Sequence, residues 1–481
     1  MEKVNGRKLS LIFIFILILL VIALLVGKLT FSYLGPTLGE DLSNEGEVTA
    51  SGDTLIFTKG SNLSLSATTD NFQTGGSNLS STTNPKVRLI ASSKTNSASA
   101  TYYVGVVINS NSYTYTTSDN TAEVILTIKD ENGNNVTSGV DGLTYVTSGG
   151  VSGFDVTGKT GLFNIKTDYP ISTTSSSTGT THTWTFTLTF VNLGTDQSDN
   201  ENASMDLDVY LQKEKILTLA EHVISQYTGS QGDDSLYYHN STLNNGAGDN
   251  SYRYAGASES VNNYICLGSD ATTCPDANLF RIIGVFGDQT KVIRAKSVGD
   301  QKWHTSDSNT WSSSSLNTYL NGTYLTSLGT LKNKIATTTW KVGGGSWSNI
   351  GTSVPKTAYQ YEVGSNASST TYDAKIGLMY VTDYYYSASP SAWTLVGYNG
   401  SDATKDYRAA KTTNWLYLGS DEWTISRNSD TTSTAFCVNS TGFVSLDSVT
   451  ISYAVRPSFN LESSTTYVSG SGSMSDPVRI K

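Results

Sequence analysis

The strongest apolar pattern in the chain lies at its start. Lys3, Arg7 and Lys8 precede an apolar run over residues 9–26 that only Ser10 interrupts. A helix of about eighteen residues, rising about 1.5 Å each, nearly crosses a hydrocarbon core of roughly 30 Å, and residues 29–34 extend it. The basic residues stand on the amino side, which predicts a cytoplasmic basic tail over 1–8 and an outside address for the rest of the chain. Secretory apolar regions run about 7–15 residues and end at a small-x-small site, and Val26-Gly27-Lys28 offers none. The pattern predicts a retained transmembrane signal anchor over 9–34, with a cleaved signal peptide as the alternative. It implies a single-pass cell-membrane location with the bulk of the chain extracellular. Residues 35–50 read as an acidic spacer.

Alternation takes over from there. Strand-like runs occur at 54–57, 86–91, 100–108, 122–130, 160–166, 183–191 and 205–211, separated by turn clusters such as Asn132-Gly133 and Gly149-Gly150. In 183–191, Trp184, Phe186, Leu188 and Phe190 alternate with Thr183, Thr185, Thr187 and Thr189. Period two marks a strand with one buried face. Seven such runs without an intervening helix predict an all-β sandwich over 51–213, a stalk.

Residues 214–250 change rhythm. Thr218 with Glu221 has capping-box spacing, and Ile216, Leu219, Ala220, Val223, Ile224 and Tyr227 recur at helical intervals. This predicts a helical junction of about three turns, then a polar loop. Residues 251–481 mix both periods: a hairpin at 279–286 and 290–295, and a helix over 313–328 broken at Asn321-Gly322. Shorter helices are expected at 355–363 and 406–415, and strands at 375–381, 422–427, 434–439, 452–461 and 478–480. The expected class is α+β.

Composition narrows the function classes. Charged residues make up only 15% of the chain and Tyr (28) outnumbers Phe (14), which suits β-structure with wet surfaces. A formal charge of −10 argues against nucleic acid as a partner. Cys266 and Cys274 bracket a short polar loop suited to a local disulfide, leaving Cys437 odd. The four histidines are scattered singly, so no metal site is expected. The sequence shows no Gly-x-Ser-x-Gly, His-Glu-x-x-His or Walker-type glycine loop, and the chain is not expected to be an enzyme.

Four stretches carry a family resemblance. They are Asn-Leu-Phe-Arg-Ile-Ile-Gly-Val-Phe at 278–286, the Ser/Leu/Tyr-rich helix at 313–328, Glu-Trp-Thr-Ile-Ser-Arg at 422–427 and Tyr-Ala-Val-Arg-Pro-Ser-Phe-Asn-Leu at 453–461. Together they resemble an uncharacterised family of Gram-positive bacterial surface proteins with an N-terminal anchor. The pairing of Glu-Trp-Thr with a late Val-Arg-Pro is also similar to C-type-lectin-like domains of the formylglycine-generating-enzyme type. That resemblance implies a lectin-like head over 251–481 presenting ligand-binding loops. The cysteines of this chain do not match that enzyme's active site, so activity is not carried over. The N-terminal half resembles camelysin-type β-sandwiches in architecture.

Site expectations rest on the aromatic and polar residues of the head. Tyr384, Tyr385, Tyr386 and Trp393 form the expected exposed aromatic set, because aromatic faces stack on sugar rings and anchor interfaces; Trp415 and Trp423 are assigned to the core. Residues 427–454 are rich in Ser, Thr, Asn and Asp and resemble the hypervariable segment of retroelement-diversified lectin-like proteins. Arg427, Asn428, Asp430, Asn439 and Asp447 are its candidate contacts. Glu422 is expected as a structural carboxylate bonding backbone amides, and Arg456 as half of a buried ion pair. Calcium at Asp421, Glu422 and Asp447 is the one cofactor to consider. The leading expectation is a membrane-anchored adhesion protein that grips a glycan or a surface protein of a host or neighbouring cell. The alternatives are a fibre or biofilm-matrix subunit, a diversified receptor, and a degenerate enzyme.

Overall fold

The computed structural model describes residues 45–50 and 52–481. It divides into two compact units, one ending at Ile216 and one spanning Leu217–Lys481.

The expected fold class is corrected at its first element. No helix among the described residues is long and apolar enough to cross a membrane, so the architecture consists of sheets with short helices. The single-pass membrane location therefore has no helix among the described residues to support it. The segments expected as tail and anchor, 1–8 and 9–34, lie outside the described residues. The spacer is corrected as well, since Glu45–Ala50 is a strand paired antiparallel with Asp53–Thr58.

The first unit is antiparallel throughout and consistent with a β-sandwich. One sheet orders Glu45–Ala50, Asp53–Thr58, Lys86–Ile90 and Thr180–Thr183. A second orders Gly161–Thr173, Ala98–Asn111, Ser204–Gln212 and Leu63–Ser66. The third orders Leu79–Thr83, Thr185–Phe190, Val124–Lys129, Val151–Asp155 and Tyr145–Ser148. Two chain paths cross between the first and third sheets, through Pro85 and through Trp184. Pro85 has no N–H to give a ladder, yet its carbonyl accepts from the Trp184 amide at 3.0 Å, which holds the switch point together. The period-two residues Trp184, Phe186, Leu188 and Phe190 are fully buried, as their alternation requires. Trp184 Nε1 donates to the Tyr102 hydroxyl at 2.8 Å, tying in the long strand Ala98–Asn111.

A buried carboxylate, Glu123, organises the loops at one end. It accepts from the Thr116 amide and hydroxyl, Gln197 Nε2 and Asn200 Nδ2. Neutral donors satisfy it, with no cation paired to it among the described residues, which is what makes its burial tolerable.

The second unit has two main sheets. One orders Leu236–Tyr238, Tyr252–Tyr254, Leu279–Phe286, Gln289–Arg294 and Ser458–Asn460, with Tyr264–Cys266 also on Leu279–Phe286. The other orders Asp300–Lys302, Ser452–Ala454, Glu422–Arg427, Thr434–Val438 and Val444–Ser448. The helix at the expected junction is Leu219–Ser225, two turns rather than three, with the Thr218/Glu221 capping box formed. Its apolar face packs in this unit's own core, and part of the expected polar loop forms the edge strand Leu236–Tyr238. Residues 214–250 are therefore mostly an integral part of the second unit.

The helix over 313–328 does break at Asn321-Gly322. Ser315–Tyr319 passes into a π-turn, Leu320–Tyr324, because the Asn321 side chain leaves the helix to bond the Ile376 amide and carbonyl, both at 2.9 Å. Two expectations fail. Residues 375–381 are not a strand: Gly377 exchanges backbone bonds with Ser458 and Val381 already begins the helix Val381–Tyr386. Residues 406–415 are not a helix but successive i to i+3 turns, since the Asp406 carboxylate takes the amides of Asn399 and Arg408. Side-chain bonding to nearby backbone competes with helix in this way.

Candidate functional site

The aromatic residues expected at the surface lie inside. Tyr384, Tyr385, Tyr386 and Trp393 are each no more than 1% exposed, which corrects their role as ligand contacts. Val381–Tyr386 is a core helix with all six residues buried, and a continuous Tyr triplet on it meets protein on every side. Burial pushes the Tyr384, Tyr385 and Tyr386 hydroxyls above their ordinary range, so they act as neutral donors. Tyr384 donates to the Gly442 carbonyl at 2.7 Å, Tyr385 to Ile350 at 2.8 Å and Tyr386 to Asn245 at 3.3 Å. Trp393 Nε1 donates to Ala388 O. Trp415 and Trp423 are buried too, bonded to the carbonyls of Tyr254 and Gln301.

The helix carrying the triplet is fixed by buried charge. Asp383 accepts from the Tyr380 amide at its N-terminus and from Lys291 Nζ at 2.6 Å, with Arg253 Nη1 at 3.7 Å. Glu362 accepts from the Val381 and Thr382 amides and from the Thr382 and Ser426 hydroxyls. Both carboxylates sit where a helix N-terminus favours negative charge.

Two of the triplet's hydroxyls, those of Tyr384 and Tyr385, bond backbone next to a set of surface rings. Trp347, Tyr398 and Phe443, all partly exposed, form a run of rings. Trp347 and Tyr398 have centroids 6.2 Å apart, Tyr398 and Phe443 4.7 Å. The Arg408 guanidinium lies 5.1 Å from the Tyr398 centroid and 5.5 Å from that of Phe443. It forks onto Asp406 at 2.6–3.1 Å and donates to Asn399 O at 2.7 Å.

Three loops are bonded together beneath these rings. The Tyr398 amide donates to Gly351 O, and the Val444 amide to Gly397 O. The Trp347 amide donates to Asp430 Oδ2 at 3.0 Å. Two glycines are required by close approach. A Cβ on Gly351 would stand 2.2 Å from the Trp347 ring, and one on Gly344 (φ +60°) 1.9 Å from Arg427 O.

The polar candidates divide. Asp430 is exposed beside Trp347. Arg427 donates to Gly343 O, and Asn428 is buried, accepting from the Asp430 amide and donating to Thr434. Asn439 donates to Asp421 and accepts from Thr441. Asp447 accepts from the Tyr453 hydroxyl and the Ser448 amide. Residues 427–454 are not a continuous surface segment: Ala435, Phe436, Cys437, Val438, Val444 and Val449 are core, and exposure concentrates at 429–432, 440–441 and 451–452. Ser, Thr and Asn in antiparallel strands reflect one wet face, not two.

The calcium expectation is corrected by what these acids bind. Glu422 is forked by Arg456, Nε to Oε1 at 2.6 Å and Nη2 to Oε2 at 2.8 Å. Asp421 accepts from Asn439 and Ser440, and Asp447 from Tyr453. Among the described residues no group of three acidic, His or Cys side chains is arranged for a metal. Glu422 therefore bonds Arg456 rather than backbone amides. Burial pushes its carboxyl up and the Arg456 charge opposes that. Cys266 and Cys274 are disulfide-bonded, and Arg479 donates to the Ser269 and Ala271 carbonyls of their loop.

Residues 287–463 match a family model described as a domain of unknown function, DUF6273. The aromatic face, the Tyr triplet and the Glu422–Arg456 pair all fall within that match. No curated protein matches the chain. Sequence reading missed Trp347, Tyr398, Arg408 and Phe443. The available signal was Gly-Gly-Gly-Ser-Trp-Ser-Asn at 343–349, a glycine-rich loop that offers a tryptophan from an open backbone.

Proposed function

We propose that the second unit is a non-catalytic binding module whose ligand is a glycan stacked on the Trp347–Tyr398–Phe443 face. The observation that carries the reading is the placement of three partly exposed rings side by side on backbone pinned from beneath by buried tyrosine hydroxyls. Rings present flat apolar faces to the C–H groups of a sugar, and a pinned backbone keeps the ordering cost of binding low. Ser346, Ser348, Asn349 and Asp430 surround Trp347 with hydroxyl, amide and carboxylate groups suited to sugar hydroxyls. The disulfide suits an oxidising compartment. The buried acids are held in ion pairs or bonded to helix amides, which favours binding over acid–base chemistry.

A glycan array probed with the full chain tests this, followed by titration of the best-retained glycan against Trp347→Ala and Tyr398→Ala. Loss of one stacking ring should weaken binding about tenfold, near 1.4 kcal/mol. Retention of no glycan, or affinity in both variants unchanged from that of the native chain, would overturn the reading.

A further inference from the structure

Three arginines in the second unit are buried to about 3% exposure: Arg253, Arg281 and Arg456. Arg253 meets Asp249 at 2.6 Å and Arg456 meets Glu422 at 2.6 Å. Arg281 alone of the three has no carboxylate within ion-pair distance among the described residues. Its guanidinium is held by neutral acceptors: Asn263 Oδ1, Ser258 Oγ at 2.7 Å and the carbonyls of Val261 and Ser258. Tyr264 and Trp415 cover it, with ring centroids 4.2 and 4.6 Å from the guanidinium carbon. A buried cation without a counter-ion carries a desolvation cost that a nearby anion relieves. Burial pushes this guanidinium down to about 10; Tyr264 opposes the shift and the Arg456 charge adds to it less strongly.

An open cleft of about 650 Å³ is lined by Ser258, Val261 and Tyr264, which also hold or cover the guanidinium, together with Glu259, Asn262 and residues 473–475. Ser258 connects the two. Its Oγ accepts from Arg281 Nη1, so its hydroxyl hydrogen is left to donate into the cleft, polarised by the charge behind it. Tyr264 offers a partly exposed ring and Met474 an apolar wall, 60% exposed. The remaining lining is the Val261 side chain, the Glu259 carboxylate, the Asn262 amide and the hydroxyls of Ser473 and Ser475.

We propose that this cleft binds an acidic saccharide, with the sugar carboxylate accepting from the Ser258 hydroxyl in the field of Arg281 and the sugar ring lying against Tyr264. Hydroxyls and an amide around one ring suit a pyranose better than a peptide side chain. Glu259 opposes the anion and sets the affinity low. Asp476 is engaged with the Ser471 amide and turned to the loop. The site is separate from the Trp347 face and does not rest on it.

Saturation-transfer NMR on the full chain, with glucuronic acid as ligand and glucose as the neutral control, reads weak binding directly. Glucuronate should receive saturation and glucose several-fold less. Glu259→Gln should strengthen the glucuronate signal and Ser258→Ala should weaken it severalfold. Glu259 is exposed and no packing among the described residues depends on its charge; Ser258→Ala also removes an acceptor of Arg281, so its melting temperature is read alongside the signal. Absence of a signal, equal signals for the two sugars, or indifference to both cleft variants would each overturn the proposal.

Discussion

The Tyr385 hydroxyl donates to the Ile350 carbonyl at 2.8 Å, joining a core helix to the short helix that carries Trp347. Both groups are buried, so Tyr385→Phe leaves the carbonyl without its partner. The expected cost is about 1–3 kcal/mol in urea unfolding. Because Ile350 lies at the end of the Trp347 helix, glycan affinity at that face should fall too, while the protein remains folded.

Glu422 and Arg456 form a forked pair with both side chains nearly inaccessible. Glu422→Gln leaves the guanidinium buried and uncompensated, and should lower stability by about 3–5 kcal/mol. The double variant Glu422→Gln with Arg456→Met should recover part of that loss, since the penalty belongs to the unpaired charge. Chemical denaturation of the three variants checks this. Recovery would assign the pair to stability and not to an acid-catalytic role.

The His222 imidazole lies flat on the Tyr467 ring, centroids 3.5 Å apart at 7°. Burial lowers its pKa to about 4 from an ordinary 6.5. Between those values the unfolded chain binds a proton that the native protein does not, so stability is full above about pH 6.5 and falls as pH drops toward 4. The loss at pH 4 should approach about 3 kcal/mol. His222→Phe keeps a ring on Tyr467 and should flatten that part of the profile, read as the melting temperature against pH.

Cys437 is a free thiol at 2% exposure in the strand Thr434–Val438. Burial pushes it up, so the reactive thiolate is suppressed. Iodoacetamide should leave the native protein unlabelled and add one equivalent after denaturation without reductant. Labelling of the native protein would mean that this strand opens readily.

The period-two run 183–191 and the capping box at Thr218 and Glu221 were legible because each arises from residues a few positions apart. The same local logic placed the hairpin of Leu279–Phe286 with Gln289–Arg294, the break at Asn321-Gly322 and the Cys266–Cys274 loop. It failed at 375–381, where partners more than fifty residues away take the backbone bonds. Aromatic exposure was misjudged for a related reason. A Tyr triplet and a loop tryptophan look alike in sequence whether they face solvent or the core.

The sequence by itself determined the strand-rich class, the main elements and their apolar faces, since side-chain period and turn chemistry are local. Which aromatic rings face outward, and which acids meet arginines, only the tertiary structure decided. Burial is a property of what packs on a residue from distant segments. Trp347 is partly open where its neighbours Gly344 and Gly351 allow close approach to Arg427 and to its own ring. Tyr385 is enclosed because its helix runs through the core, a circumstance not written within a few residues of its ring.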